Sequence, residues 1–264
     1  MRLFLYFLLL SFTLSSCDLV TAIKKQVKSQ KTDESSASEG VSGTNQSKNG
    51  RVKYYYENGG LKSVVNYENG VKVGVSHTYY PSGEKQYEIP YKNGMKDGIV
   101  KWFYKEGSLY RETSYEKGVK NGLQKFYWGN GVLKAEILYR NNMPAKGLKE
   151  YSNKGFLKKQ PRIVVETVDL LAQSNEYLVK FRLSDESSKV QFYIGELLDG
   201  VYLPQNVKAH LAPINTEKGV GIIRTSIPRG NFIKKTLHVI AVKKTSFKNQ
   251  LILTTDYNLS VVND

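Results

Sequence analysis

The chain has 264 residues, 40% of them hydrophobic and 12% aromatic, with 39 Lys+Arg against 24 Asp+Glu and a formal net charge of +15. That apolar content excludes a globally disordered chain and suffices for one or two packed domains. A single cysteine, Cys17, excludes an intrachain disulfide, and three scattered histidines without a second cysteine supply no ordinary zinc set.

The first residues read as an address. Met1-Arg2 is a short basic start, Leu3 to Leu14 is mostly apolar, and Ser15-Ser16-Cys17 follow. These are the three regions of a secretory signal. The apolar run is too short for a bilayer-spanning helix, which needs about 20 residues. The ending Leu14-Ser15-Ser16-Cys17 resembles the lipobox of bacterial lipoproteins. The resemblance implies a signal peptide over residues 1–16, cleavage before Cys17 and lipidation of that cysteine, palmitate among its acyl chains. Two or more such chains anchor a protein firmly where one does so marginally. The alternative is an ordinary signal peptide with Cys17 incidental. Either reading exports the chain, and the lipobox places it at a bacterial cell envelope, on the periplasmic side or the cell surface. Asp18 resembles an inner-membrane retention signal of enteric bacteria, and the choice between inner and outer membrane stays open.

Residues 17–50 hold Cys17 and then a stretch rich in Ser, Lys, Gln, Glu and Gly. Such a composition cannot bury enough apolar surface to order itself. It reads as a tether, spanning roughly 30 Å as a flexible coil.

Residues 51–158 carry a period. Gly59, Gly83, Gly107, Gly131 and Gly155 stand 24 residues apart, each with an aromatic residue four positions earlier. A second series of turn residues, Asn69-Gly70, Asn93-Gly94, Lys117-Gly118 and Asn141-Asn142, alternates with the first. Asn-Gly pairs tolerate φ > 0 and mark hairpins. The segments between are 7–10 residues rich in Tyr, Phe, Trp, Val and Ile, which fits strands. Each unit therefore predicts two antiparallel strands, and the array an all-β, single-layer antiparallel meander of nine or ten strands. The Tyr-x-x-(Ser/Asn)-Gly and Tyr-x-(Asn/Lys)-Gly elements resemble the bacterial variant of the MORN-repeat family, some members of which are labelled antitoxin-like. The resemblance implies a binding or scaffold role.

Fourteen of the nineteen tyrosines and a net charge of +10 fall within residues 51–160. Most of these rings are expected to hold the sheet together, since a tyrosine buries ~150–250 Å² and keeps its hydroxyl wet. Tyr54, Tyr56, Trp102, Tyr104 and Trp128 are the candidates for a binding surface, because residues i and i+2 share a strand face. A peptide strand, a glycan or a lipid headgroup would suit them. Basic residues among aromatics would suggest nucleic acid in the cytosol. Export argues against that and points to anionic glycans or lipid headgroups instead.

Residues 159–264 lose the period. Apolar runs at 164–165, 177–181, 190–194, 221–223, 237–242 and 251–253, the last extended by 259–262, predict six to eight strands, no helix and an immunoglobulin-like β-sandwich. His238 lies within an apolar run and reads as a packed core histidine, whereas His77 and His210 read as surface residues.

No Gly-x-Ser-x-Gly, phosphate loop or clustered metal ligands appear, so no catalytic residues, metal or cofactor are assigned. The chain reads as a non-enzymatic, lipid-anchored binding or scaffold protein working through its repeat sheet. Its partner is either an envelope protein or an anionic glycan or lipid. An envelope immunity role is a further alternative.

Overall fold

In the computed structural model, which describes residues 48–264, the repeats form an antiparallel meander of 11 strands. The expected signal peptide, Cys17 and the tether up to residue 47 lie outside the described residues. The sheet runs β1 (Gly50–Tyr55), β2 (Leu61–Glu68), β3 (Val71–Tyr79), β4 (Lys85–Lys92), then β6 (Gly98–Phe103), β7 (Leu109–Glu116), β8 (Val119–Tyr127), β9 (Leu133–Arg140) and β10 (Met143–Pro144). Two further pieces, β5 (Met95–Lys96) on β4 and β11 (Lys149–Glu150) on β9, complete it. Eight of these are full strands, one or two fewer than expected because the shortened fifth unit forms only an isolated bridge, Tyr151 with Leu157, while β5, β10 and β11 are two-residue strands too short to read from composition.

The turns explain the period. In the first series, Tyr56 N–H donates to Gly60 O and Gly59 N–H to Tyr56 O. The same two bonds recur around Gly83, Gly107, Gly131 and Gly155. These five glycines have φ between +81° and +101°. A Cβ would find open space at the first four, so backbone conformation alone demands glycine there. In the second series both central residues have positive φ, the type I′ geometry that matches strand twist. Asn141 and Asn142 keep it at +49° and +66° without glycine. Asn142 also accepts the Lys120 N–H through its side chain at 2.8 Å.

Register sorts the side chains onto two faces. On one, Glu88, Lys101, Glu112, Lys125, Glu136 and Lys149 lie directly opposite one another across successive strands. Opposite charges so placed contribute ~0.2–1 kcal/mol per pair. On the other, the row is Tyr87, Trp102, Arg111, Phe126, Ala135 and Glu150. Beside it, Val100, Thr113, Gln124 and Ile137 form a second, buried row.

The remaining strands are β12 (Ile163–Leu170), β13 (Glu176–Leu183), β14 (Val190–Ile194), β15 (Ala212–Pro213), β16 (Thr216–Glu217), β17 (Val220–Ser226), β18 (Asn231–Lys244) and β19 (Gln250–Asn263). They form two four-stranded sheets, β12-β13-β17-β16 and β15-β14-β18-β19. Val179, Phe181 and Leu183 from the first and Phe192, Val239, Ala241 and Leu259 from the second share one buried core. The layers approach closely at Gly221, where a Cβ would meet the Phe192 ring at 2.9 Å. Two single helical turns, Leu171–Ser174 and Val207–His210, are the departures from the expectation of no helix.

The sandwich closes one end of the meander. Leu203 N–H donates to Pro144 O and Lys146 N–H to Val201 O, while Arg140 pairs with Asp199 and covers the Tyr202 ring. The β18–β19 turn then seats Phe247 edge-on against Trp128, 5.2 Å between centroids. Thr245 and Asn249 both donate to buried Glu150, at 2.6 and 2.8 Å. Leu251 packs with Ala135, Ile137 and Leu148. The last edge of the meander is thereby covered rather than left as an open template for pairing.

Candidate functional site

The five aromatic candidates are fastened to the sheet by their polar ends. Tyr56 Oη donates to Tyr79 O at 2.6 Å. Moving by 24 residues, Tyr80 donates to Phe103 O, Tyr104 to Tyr127 O and Trp128 Nε1 to Tyr151 O, at 2.7, 2.9 and 3.2 Å. Each repeat is stitched to the next by one aromatic donor. Trp102 donates to Tyr80 Oη at 3.1 Å, stacks on Tyr87 and meets the edge of Tyr110. Tyr54 shares a hydrogen bond with Tyr67 and accepts one from Lys48, both at 3.1 Å. Burial opposes ionisation of Tyr54, but the bonds from Tyr67 and Lys48 outweigh it and hold its hydroxyl below the usual tyrosine value. Burial, then the bond to Tyr54, pushes Tyr67 up to about 12.

The structure brings Trp102 and Tyr104 together around Tyr110, beside a hollow of about 290 Å³. It keeps Tyr54 and Tyr56 apart from Trp128. Six strand steps separate β1 from β8, roughly 29 Å at ~4.8 Å per step. Trp128 sits against Phe247 of the sandwich, and Lys134 covers its ring at 4.2 Å.

A second ladder escaped the sequence reading. Lys48, Lys72, Lys96 and Lys120 are spaced by 24 residues, and their ammonium groups lie 4.7–5.7 Å from the ring centres of Tyr67, Tyr91, Tyr115 and Tyr139. Their carbonyls accept the N–H groups of Gly70, Gly94, Gly118 and Asn142 in the second series of turns. Each cation–ring contact contributes ~0.5–1 kcal/mol at an exposed site and more when desolvated. Lys120 is half-buried, and its ammonium is held below the usual lysine value by burial first and the Arg111 charge second. The signal was present in the sequence as a period of lysines.

These ladders lie on the aromatic face, so carboxylates are unevenly placed between the two faces. The opposite face alternates Lys101, Lys125 and Lys149 with Glu88, Glu112 and Glu136. The aromatic face carries Lys48, Lys72, Lys96, Lys120 and Arg111 against aromatic rings. Where that face meets the sandwich, a groove of about 710 Å³ opens over Gln124, Phe126 and Tyr139.

The histidines do not converge. His77 lies 3.8 Å from Glu88 on the charged face, and Lys85 bonds the same carboxylate at 2.5 Å. Burial first, and Lys85 second, hold His77 below the usual imidazole value, against the pull of Glu88. The Lys85 bond, before the lesser effects of burial and neighbouring charge, holds Glu88 below the usual carboxylate value. His238 is not a packed core residue. Its ring is 44% exposed, 2.9 Å from Asp256, because its strand turns that position outward between buried Leu237 and Val239. Among the described residues no cluster of three or more His, Cys, Asp or Glu could hold a metal ion, and no helix is long and apolar enough to cross a membrane.

Four tandem segments, residues 48–69, 72–93, 96–117 and 120–141, match the family model described as MORN repeat variant. Each matched segment opens on a lysine of the ladder and ends on the first residue of a type I′ turn. The fifth, shortened unit around Gly155 lies outside the match. No curated protein matches the chain.

Proposed function

We propose that this chain is a non-enzymatic binding protein, anchored at a bacterial cell envelope through lipidated Cys17, and that the aromatic face of its repeat sheet is the working surface. The observation that carries the reading is the uneven placing of carboxylates between the two faces. One face interleaves its lysines with Glu88, Glu112 and Glu136, whereas the other sets Lys72, Lys96 and Lys120 against rings with no ion pair among the described residues. A surface so divided suits an anionic partner approaching from one side. The same division favours an anionic glycan or lipid headgroup over a neutral protein scaffold partner. The strand orders of the sandwich follow the A-B-E-D and C-F-G arrangement of immunoglobulin-like domains, with one added strand beside C. This supports reading it as an interaction module that completes the surface.

Two measurements test the proposal. Cys17→Ser should move the protein from the membrane to the soluble fraction of fractionated cells, and continued membrane association of this variant would defeat the anchor. Capture of envelope material by the full chain should fall steeply with salt, as expected when several lysines displace counterions. Capture that is insensitive to salt would sink the anionic reading.

A further inference from the structure

The groove between the meander and the sandwich is lined by cations without carboxylates. Lys189, Lys243, Lys244 and Lys248 contribute to it, and no Asp or Glu does. Lys243 is bound to Asp185 at 2.7 Å. The side chains of Lys189, Lys244 and Lys248 are exposed and have no ion pair among the described residues. Three like charges lining one groove without a counter-charge repel one another, and an anion would relieve the repulsion.

The floor adds a second, independent feature. Gln124 is 3% exposed, and its Oε1 is buried with no hydrogen-bond partner. Leaving such a group unpaired costs about 1–3 kcal/mol. Directly beside it lie the rings of Phe126 and Tyr139, residues on the same face of β8 and β9. A carboxamide both donates and accepts, so its natural complement is a hydroxyl, which does the same. Aromatic rings offer flat apolar area to the C–H face of a sugar. A bare phosphate or sulfate would satisfy the lysines but would leave Gln124 unpaired and make no use of the half-buried Phe126 and Tyr139 rings. The volume of about 710 Å³ is in the range of small-ligand clefts.

We infer that this groove is a binding site for an acidic saccharide, with Lys189, Lys244 and Lys248 holding the carboxylates, the Gln124 amide bonding a ring hydroxyl, and Phe126 and Tyr139 lying against the sugar. The inference rests on the anionic-binding reading above and names its ligand class and location.

The test uses the full chain carrying Cys17→Ser and titration calorimetry with a uronic-acid oligosaccharide. The neutral oligosaccharide of the same ring number, inorganic phosphate and phosphatidylglycerol vesicles are the comparison probes. The acidic oligosaccharide should bind at least tenfold more tightly than the neutral one. Lys189→Ala/Lys244→Ala/Lys248→Ala should weaken it at least tenfold, and so should Gln124→Leu, with the unfolding midpoint of each variant measured in parallel. Gln124→Glu supplies a second variant of nearly the same shape, and should also weaken binding by setting a carboxylate against the ligand's own. Phosphate should fail to compete at the oligosaccharide's half-saturating concentration. Vesicle binding without oligosaccharide binding would overturn the saccharide assignment and leave the anionic reading intact. Absence of binding to both, together with salt-insensitive envelope capture, would overturn both. Oligosaccharide binding that is unaltered in the lysine triple variant would place the ligand elsewhere and refute the groove.

Discussion

Phe247→Ala is the most informative perturbation of the joint. The ring meets Trp128 edge-on at 5.2 Å and 88°, and the ammonium groups of Lys134 and Lys158 lie 4.8 and 4.0 Å from its centroid. An edge-to-face pair contributes ~0.5–1.5 kcal/mol beyond area burial. Each exposed cation–ring contact adds ~0.5–1 kcal/mol. Truncation should therefore cost about 2–3 kcal/mol, below the 3–5 of a fully buried ring because this one is half-exposed. For a unit of this size that corresponds to a fall of roughly 5–10 °C in Tm. The assay is thermal unfolding followed by circular dichroism, with Trp128 fluorescence read in a Trp102→Phe background. The emission of Trp128 should shift to the red in the variant, and Phe247→Leu should fall between variant and parent. If the midpoint stays within roughly 1 °C of the parent, about 0.3 kcal/mol, and the emission does not move, this joint does not hold the sandwich to the meander.

The stitching between repeats can be tested at Tyr80. Tyr80→Phe removes a donor to Phe103 O and the acceptor of Trp102 Nε1, so urea unfolding should show a loss of about 1–2 kcal/mol; an unchanged midpoint would mean these bonds exchange freely with water. Gly83→Ala asks for a side chain at φ +101° with open space around its Cβ, and should cost about 1–3 kcal/mol from backbone strain alone, a reading that a neutral substitution contradicts. His77 provides a pH test. Its folded value lies below the unfolded one, so its contribution is present above about pH 6.5 and is lost as pH falls toward the folded value. Between pH 7.5 and 5.5 the parent should lose more stability than His77→Gln, and equal losses would assign the pH dependence to other groups.

How far the sequence carried these conclusions depended on whether a feature repeats. Gly59, Gly83, Gly107, Gly131 and Gly155 declared their turns because a positive φ restricts residue choice at the same place in every unit. Asn142 broke the glycine series without breaking the turn, since asparagine tolerates φ +66° and its side chain adds a bond to Lys120. The lysine ladder is equally periodic, but lysine is common on surfaces, and only the rings beneath it distinguish its spacing from chance. Phe247 and Glu150 could not be read at all. Phe247 meets Trp128, and Glu150 meets Thr245 and Asn249, across about a hundred residues of chain, and nothing local marks a partner so distant. His238 misled because an apolar run suggested burial on both faces, whereas only the positions beyond it are covered on both sides. Tyr56, Tyr104 and Trp128 stand in the sequence among five candidates for a binding surface, but their hydrogen bonds to the neighbouring unit depend on a register that alternation alone does not give.

The regular offset of the stitching bonds has a consequence for length. Every aromatic donor in the series reaches a carbonyl 23 residues ahead, so a cut of 24 residues presents each donor with an equivalent acceptor. Removing residues 75–98 would hand Tyr56 the carbonyl of Phe103 in place of that of Tyr79, and both ends of the array would keep their chemistry. The sheet would shorten by two strands, roughly 9–10 Å, while the joint at Phe247 and Glu150 stayed as it is. The reach from β1 to the sandwich is thus a quantity that insertion or loss of whole units can reset in fixed steps, without any new contact having to arise.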